Sequence, residues 1–136
     1  MIFVDTNILI DLVAPGQAWR DWSLAQLERL GAEDTLVVDQ IVIAELASGF
    51  PSLEEATQWL ADLGIELRSL GEEAAFAAGL AFRAYRRTGG KRAAMLTDFL
   101  IGGHAQQLDA ALLTRDATIY RRYFPDLRLI TPETHP

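Results

Sequence analysis

Five short apolar runs of the kind that form strands, Ile2–Val4, Leu36–Val38, Ile65–Leu67, Ala111–Leu113 and Leu127–Ile130, are separated by segments with helical periodicity. Strands that alternate with helices pair in parallel, because each crossover helix returns the chain to the same end of the sheet and covers one of its faces. The alternation therefore predicts an α/β fold with a central parallel sheet covered by helices.

The helical segments have recognisable ends. Ile8, Leu9, Leu12 and Val13 share one face of a helix that follows Asp5 and stops near Pro15-Gly16, and a second helix runs from about Gln17 to Leu30, where Gly31 ends it. Asp39 is placed to cap a helix reaching Ala47, and Ser52 with Glu55 makes a capping box for a helix to about Leu63. A long helix from Glu72 to Arg87 is closed by Thr88-Gly89-Gly90. The last begins at Thr97-Asp98 and runs to about Leu108, although Gly102-Gly103 within it costs about 1 kcal/mol per glycine relative to alanine. No repeat, linker or low-complexity tract divides the chain, so residues 1–136 read as one domain.

Hydrophobic residues make up 50% of the chain, ample for a core and contrary to the composition of a disordered segment. The absence of cysteine excludes disulfides, thiolate metal sites and a cysteine nucleophile, and it fits a reducing cytoplasm. The start meets Asp5 after three apolar residues, and the longest later uncharged run, Phe99 to Leu108, contains Gln and His. Neither a signal peptide nor a membrane span is expected, which gives a cytoplasmic localisation and no membrane partner.

The net charge of -7 is unevenly distributed. Residues 1–73 carry 14 acids against three Arg, whereas residues 74–136 carry five acids against nine Lys or Arg. Arg83, Arg86, Arg87, Lys91 and Arg92 fall within ten positions, and no acid intervenes from Ala74 to Thr97. Such a run is either a solvated helix end that complements the helix dipole or a basic strip on an acidic protein.

In an open parallel sheet, ligands bind at the carboxyl ends of the strands, so acids just after strands carry more weight than acids elsewhere. Asp5 follows the first strand at once, Asp116 follows the fourth in Leu113-Thr114-Arg115-Asp116, Glu45 lies among apolar residues in the helix after the second, and Asp98 opens the last helix. Each alone has a structural reading as a helix-start acid, a turn residue or a solvent-facing position. Together they raise one another's pKa unless a cation neutralises them. The oxygen-only set suits Mg²⁺ or Mn²⁺, and a hard cation held by carboxylates supports phosphodiester hydrolysis: it activates water and neutralises phosphate charge. No Gly-x-Ser-x-Gly elbow, Walker A loop, Gly-x-Gly-x-x-Gly turn or His-Glu-x-x-His pair offers a competing chemistry.

Asp5-Thr6-Asn7 after the first strand, Ala44-Glu45-Leu46, Thr97-Asp98 and Leu113-Thr114-Arg115-Asp116 resemble, in order and spacing over nearly the whole chain, the PIN-domain ribonucleases, and among them the VapC-type toxins of toxin–antitoxin pairs. The resemblance implies a PIN-like three-layer α/β/α sandwich and a Mg²⁺- or Mn²⁺-dependent endoribonuclease. It also implies a homodimer silenced by a VapB-type antitoxin. Asp5, Glu45, Asp98 and Asp116 match the acidic quartet, catalytic and metal-binding, with Asp5 and Asp98 the firmest ligands; Asn7 and Thr114 match positions that support the site by hydrogen bonding. With an RNA substrate implied, Arg86, Arg87, Lys91, Arg92 and Arg115 become candidates for holding its phosphates.

Other residues stay structural. His104 lies off the face of Asp98 on the same helix and reads as a satisfied or exposed histidine, His135 as tail, Asp39 as a cap, and Asp11 as a solvent-facing residue of the first helix. Trp19 and Trp22 read as core aromatics, with an interface anchor as the alternative. Two other functions compete: a haloacid-dehalogenase-like phosphohydrolase, whose second Asp is Asn7 here, and a PIN-like scaffold that binds RNA or protein without cutting.

Overall fold

In the computed structural model, which describes residues 1–89 and 96–136, the chain forms a five-stranded, wholly parallel sheet flanked by helices in an α/β/α arrangement. In chain order the elements are β1 (Ile2–Val4), α1 (Thr6–Val13), α2 (Arg20–Glu33), β2 (Leu36–Val38), α3 (Gln40–Leu46), α4 (Leu53–Asp62), β3 (Ile65–Leu67), α5 (Glu72–Arg87), α6 (Leu96–Gln107), β4 (Ala111–Leu113), α7 (Thr118–Tyr123) and β5 (Leu129–Ile130). A single 3-10 turn, Ala47–Gly49, follows α3.

The strand order is β3-β2-β1-β4-β5. The chain starts in the middle, builds outward to β3, then crosses back to lay β4 on the free edge of β1, with Phe3 paired to Val37 on one side and to Leu112 on the other. The order reverses between β1 and β4, and the crevice beyond their carboxyl ends is where such sheets bind ligands. Strands β1, β2 and β4 are buried along their whole length, as expected of a sheet covered on both faces.

Several local expectations hold at atomic detail. Asp39 caps α3, its Oδ1 accepting from the Ile41 and Val42 N–H groups at 2.9 and 3.2 Å, and Ser52 Oγ accepts from Glu55 N–H at 3.2 Å at the start of α4. Two details differ, at α2 and α7. Helix α2 starts at Arg20 and runs past Gly31, whose missing side chain lets Leu36 approach; a Cβ there would lie 3.2 Å from Leu36 Cδ1. Helix α6 runs through Gly102 and Gly103 as expected, and packing explains the two glycines: a Cβ at Gly102 would meet the Phe124 ring at 2.7 Å and one at Gly103 would meet Ala78 Cβ at 3.1 Å. Helix α7 has too short an apolar period to stand out in the sequence.

Two side-chain expectations are corrected. Asp11 is fully buried rather than solvent-facing: Ser23 Oγ donates to its Oδ2 at 2.6 Å, and Arg115 Nε lies 2.7 Å from the same oxygen. Trp19 is 42% exposed and packs edge-on against the half-buried Trp22, so only Trp22 joins the core; its indole N–H donates to the His135 carbonyl. No helix among the described residues is long and apolar enough to cross a membrane.

Candidate active site

Asp5 lies where β1 ends and α1 begins, in the N-cap position, yet its side chain makes no capping hydrogen bond. Its Oδ2 instead accepts from Thr114 Oγ1 at 2.7 Å, Tyr120 Oη at 3.2 Å and Asn7 Nδ2 at 3.3 Å. Thr114 follows β4, so this bond joins the ends of the two adjacent strands across the point where the sheet order reverses. Asn7 braces the same junction: its Nδ2 also donates to Thr114 Oγ1 at 3.1 Å, and its Oδ1 accepts from the Arg115 N–H at 3.2 Å.

The other three acids converge from separate elements. Glu45 comes from α3, where Thr6 Oγ1 donates to its Oε1 at 2.8 Å. Asp98 comes from the first turn of α6. Asp116 comes from the loop after β4, its Oδ1 accepting from the Thr118 N–H at 3.1 Å and so ordering the entry to α7. Asp5, Glu45, Asp98 and Asp116 line one cleft of about 190 Å³, with Thr6, Asn7, Tyr120 and the apolar walls Ile10 and Ile119. All four acids expected at the site share this one cavity. A larger cavity of about 500 Å³ between α5 and α6, floored by alanines, offers no comparable set of acids.

The electrostatics follow from this crowding. Burial pushes the Asp5 carboxyl up to about 6, with the charge of Asp98 adding to the rise and the hydrogen bonds from Thr114 and Tyr120 opposing it. Glu45 is raised as well, by burial first and then by the charges of Asp98 and Asp39, against the bond from Thr6. The Tyr120 phenol is held well above its usual value by burial and by the charges of Asp5, Asp98 and Glu45, so it remains a donor to Asp5 at any ordinary pH. Burial and neighbouring charge thus disfavour the ionised forms of Asp5 and Glu45.

The donor set decides what kind of cation the cleft could hold. The lining offers carboxylate, hydroxyl and amide oxygens, with no imidazole or thiolate, which favours a hard ion such as Mg²⁺ or Mn²⁺ over zinc or copper. Among the described residues no three His, Cys, Asp or Glu side chains close around a single point.

Two contributors were not visible in the sequence. Tyr120 lies on the short helix α7 and reaches Asp5 across 115 residues of chain, so no spacing signals it. Thr6 lies inside the Asp5-Thr6-Asn7 motif, but its role depends on Glu45, 39 residues away. Of the expected phosphate contacts, Arg86 and Arg87 are exposed in the last turn of α5. The guanidinium of Arg115 is turned onto Asp11, and Lys91 and Arg92 lie outside the described residues. His104 is buried with its Nδ1 2.8 Å from Asp39 Oδ2, in keeping with a structural histidine.

A family profile described as PIN domain matches residues 2–125. Among solved structures, the chain is 25% identical to a chain of VapBC2 from Rickettsia felis bound to a DNA fragment from their promoter, with a TM-score of 0.71 over 96% of this chain and 98% of that one. It is 26% identical to a chain of VapBC-1 from nontypeable Haemophilus influenzae, again with a TM-score of 0.71 and coverage of 96% and 98%. It is 25% identical to a chain of FitAcB from Neisseria gonorrhoeae, with a TM-score of 0.69 over the whole of both chains. A comparison with curated proteins finds no match.

Proposed function

Since the chain belongs to the PIN-domain family, we propose that it is a VapC-type toxin: a Mg²⁺- or Mn²⁺-dependent endoribonuclease of the cytoplasm that a VapB-type antitoxin silences and that works as a homodimer. The observation that carries this reading is the convergence of Asp5, Glu45, Asp98 and Asp116 on one cleft at the carboxyl ends of β1 and β4. The structural neighbours are VapBC assemblies in their own organisms, which supports a VapB-type partner for this chain. The family assignment leaves no place for the haloacid-dehalogenase reading.

In this proposal Asp5 and Asp98 are the principal ligands, and Asp116 and Glu45 complete the acidic ring. When bound, the ion supplies a lowered pKa for its water and neutralises charge on the scissile phosphate. The chain's residues do the rest. Thr114, Tyr120 and Asn7 hold Asp5 Oδ2 in a fixed direction, so the carboxylate does not reorganise when charge builds up at the phosphate. Thr6 fixes Glu45 Oε1 and leaves the other oxygen to orient the attacking water; its raised pKa suits it to take that water's proton. Ile10 and Ile119 keep bulk water from the flanks of the cleft. Arg86, Arg87, Lys91, Arg92 and Arg115 remain the proposed contacts to RNA phosphates, with Arg115 acting from its pose on Asp11.

Cleavage of a mixed RNA pool by antitoxin-free protein in Mg²⁺, Mn²⁺ or EDTA tests the reading, with Asp98→Asn purified in parallel. Cutting by wild type in either metal, abolished by EDTA and reduced at least 100-fold in Asp98→Asn, is the expected result. Equal cutting by both proteins overturns the site, and no cutting of any RNA by a folded wild type favours the non-cutting scaffold.

A further inference from the structure

The sequence placed a basic strip at the end of α5, and the structure adds a second basic element beside it. Arg83, Arg86 and Arg87 are exposed on the last turns of α5, and Arg121 and Arg122 are on the last turn of α7. The two helix ends are joined: Thr88 Oγ1 and Tyr123 Oη are 2.9 Å apart, and the Tyr85 and Tyr123 rings meet edge-on at 5.5 Å. The guanidinium of Arg122 lies over the Tyr123 ring at 5.5 Å, and that of Arg86 over Phe82 at 5.9 Å. These two stacked arginines bracket a continuous aromatic ridge of Phe82, Tyr85 and Tyr123.

The charge on this ridge is not consumed locally. Arg121 is paired with Glu133, but among the described residues Arg83, Arg86, Arg87 and Arg122 form no ion pair. The nearest acid of α5 toward its start is Glu73, ten residues and therefore about 15 Å from Arg83 along the helix. Helix α7 also reaches the cleft, since Tyr120 donates to Asp5 and Ile119 lines the cavity. Arg122 thus lies on the same six-residue helix as a residue that touches the acidic site.

We infer that α7 and the end of α5 form one phosphate-binding track for single-stranded RNA, in which Arg122 is the bridge between the cleft and the α5 arginines. This rests on the ribonuclease reading and adds to it the direction in which the chain of the substrate leaves the site: over α7 toward α5. Stacking on Tyr123 and Phe82 holds the two guanidinium planes in place while leaving their N–H edges for phosphate oxygens.

The test is binding of a short fluorescent single-stranded RNA in EDTA, where no cutting occurs, measured across a series of salt concentrations. Removing one arginine–phosphate pair flattens the plot of log affinity against log salt by about 0.7 for a single strand. Arg122→Gln and Arg86→Gln are each expected to flatten it by about that amount and weaken binding several-fold, Arg122→Lys to restore the wild-type slope, and the double variant to flatten it about twice as much. Arg128→Gln is the charge-matched control: Arg128 immediately precedes β5, at the amino ends of the strands and so opposite the cleft. A wild-type slope in Arg122→Gln, or an equal flattening in Arg128→Gln, overturns the track while leaving the nuclease intact if wild type still cuts RNA. Failure of wild type both to bind and to cut RNA would instead overturn the ribonuclease reading itself.

Discussion

At the scale of single residues, Asp5 departs from the way an acid at a helix start caps its helix. A capping aspartate turns its carboxylate onto the N–H groups of the first turn, as Asp39 does. Asp5 instead gives Oδ2 to Thr114 and Tyr120 and is only 6% exposed, so it carries a desolvation cost that a cap would not. A raised acid pKa has a definite consequence for stability. Below the ordinary value of 3.8 the carboxyl is protonated in both folded and unfolded chains and no penalty exists; above about 6 it is ionised in both and the penalty is complete. Without metal, the contribution of Asp5 to folding should therefore worsen by about 2–3 kcal/mol between pH 4 and pH 7. Urea unfolding of wild type and Asp5→Asn in EDTA at the two pH values isolates it: the variant should gain on wild type by that amount as pH rises, and a pH-independent difference would refute the burial argument. Asp5 was legible in the sequence because it closes a strand within a motif. The burial of Asp11 was not, because the Arg115 that accompanies it is 104 residues away and the polar spacing of α1 gives no sign of that pairing.

Among the elements, the strands and most helix limits were legible because they depend on local chemistry: apolar runs, caps and stop residues. The glycines of α6 were not, since their reason lies in other helices. Read alone, Gly102-Gly103 weakens a helix; packed, it lets Phe124 and the small residues Ala74 and Ala78 of α5 approach α6, the helix that carries Asp98. Gly102→Ala should therefore destabilise the protein by about 1–3 kcal/mol through the clash with the Phe124 ring, in spite of the gain of about 1 kcal/mol in helix propensity. A urea midpoint that rises in Gly102→Ala would mean the ring moves aside freely. Helix α7 was illegible for the opposite reason: its six residues give one face of only Ile119, Tyr120 and Tyr123, too short to mark a helical period, and it is fixed through Tyr120 beneath the cleft and Tyr123 against α5.

Across the whole molecule, the sheet brings together acids from four separate elements in one cleft, and under the proposed function an ion held there would stabilise the fold. An ion bound only by the folded cleft shifts the balance by mass action, about 2.7 kcal/mol at a hundredfold excess over its dissociation constant. For a chain of 136 residues this raises Tm by about 10 °C. Mn²⁺ or Mg²⁺ should produce that rise in wild type and little or none in Asp98→Asn, and an equal rise in both would place the ion elsewhere. The placement of β1 between β2 and β4 has a further consequence, for time. Asp5 and the Thr114 that holds it are 109 residues apart, so at ordinary elongation rates about 5–20 s pass on the ribosome between the making of one and the making of the other. Late in that interval the nascent chain holds Asp5, Glu45 and Asp98 but not the Thr114 and Asp116 that complete the cleft. The acidic cleft is therefore assembled only once the stretch through Asp116 has emerged, and a chain truncated before that point lacks it.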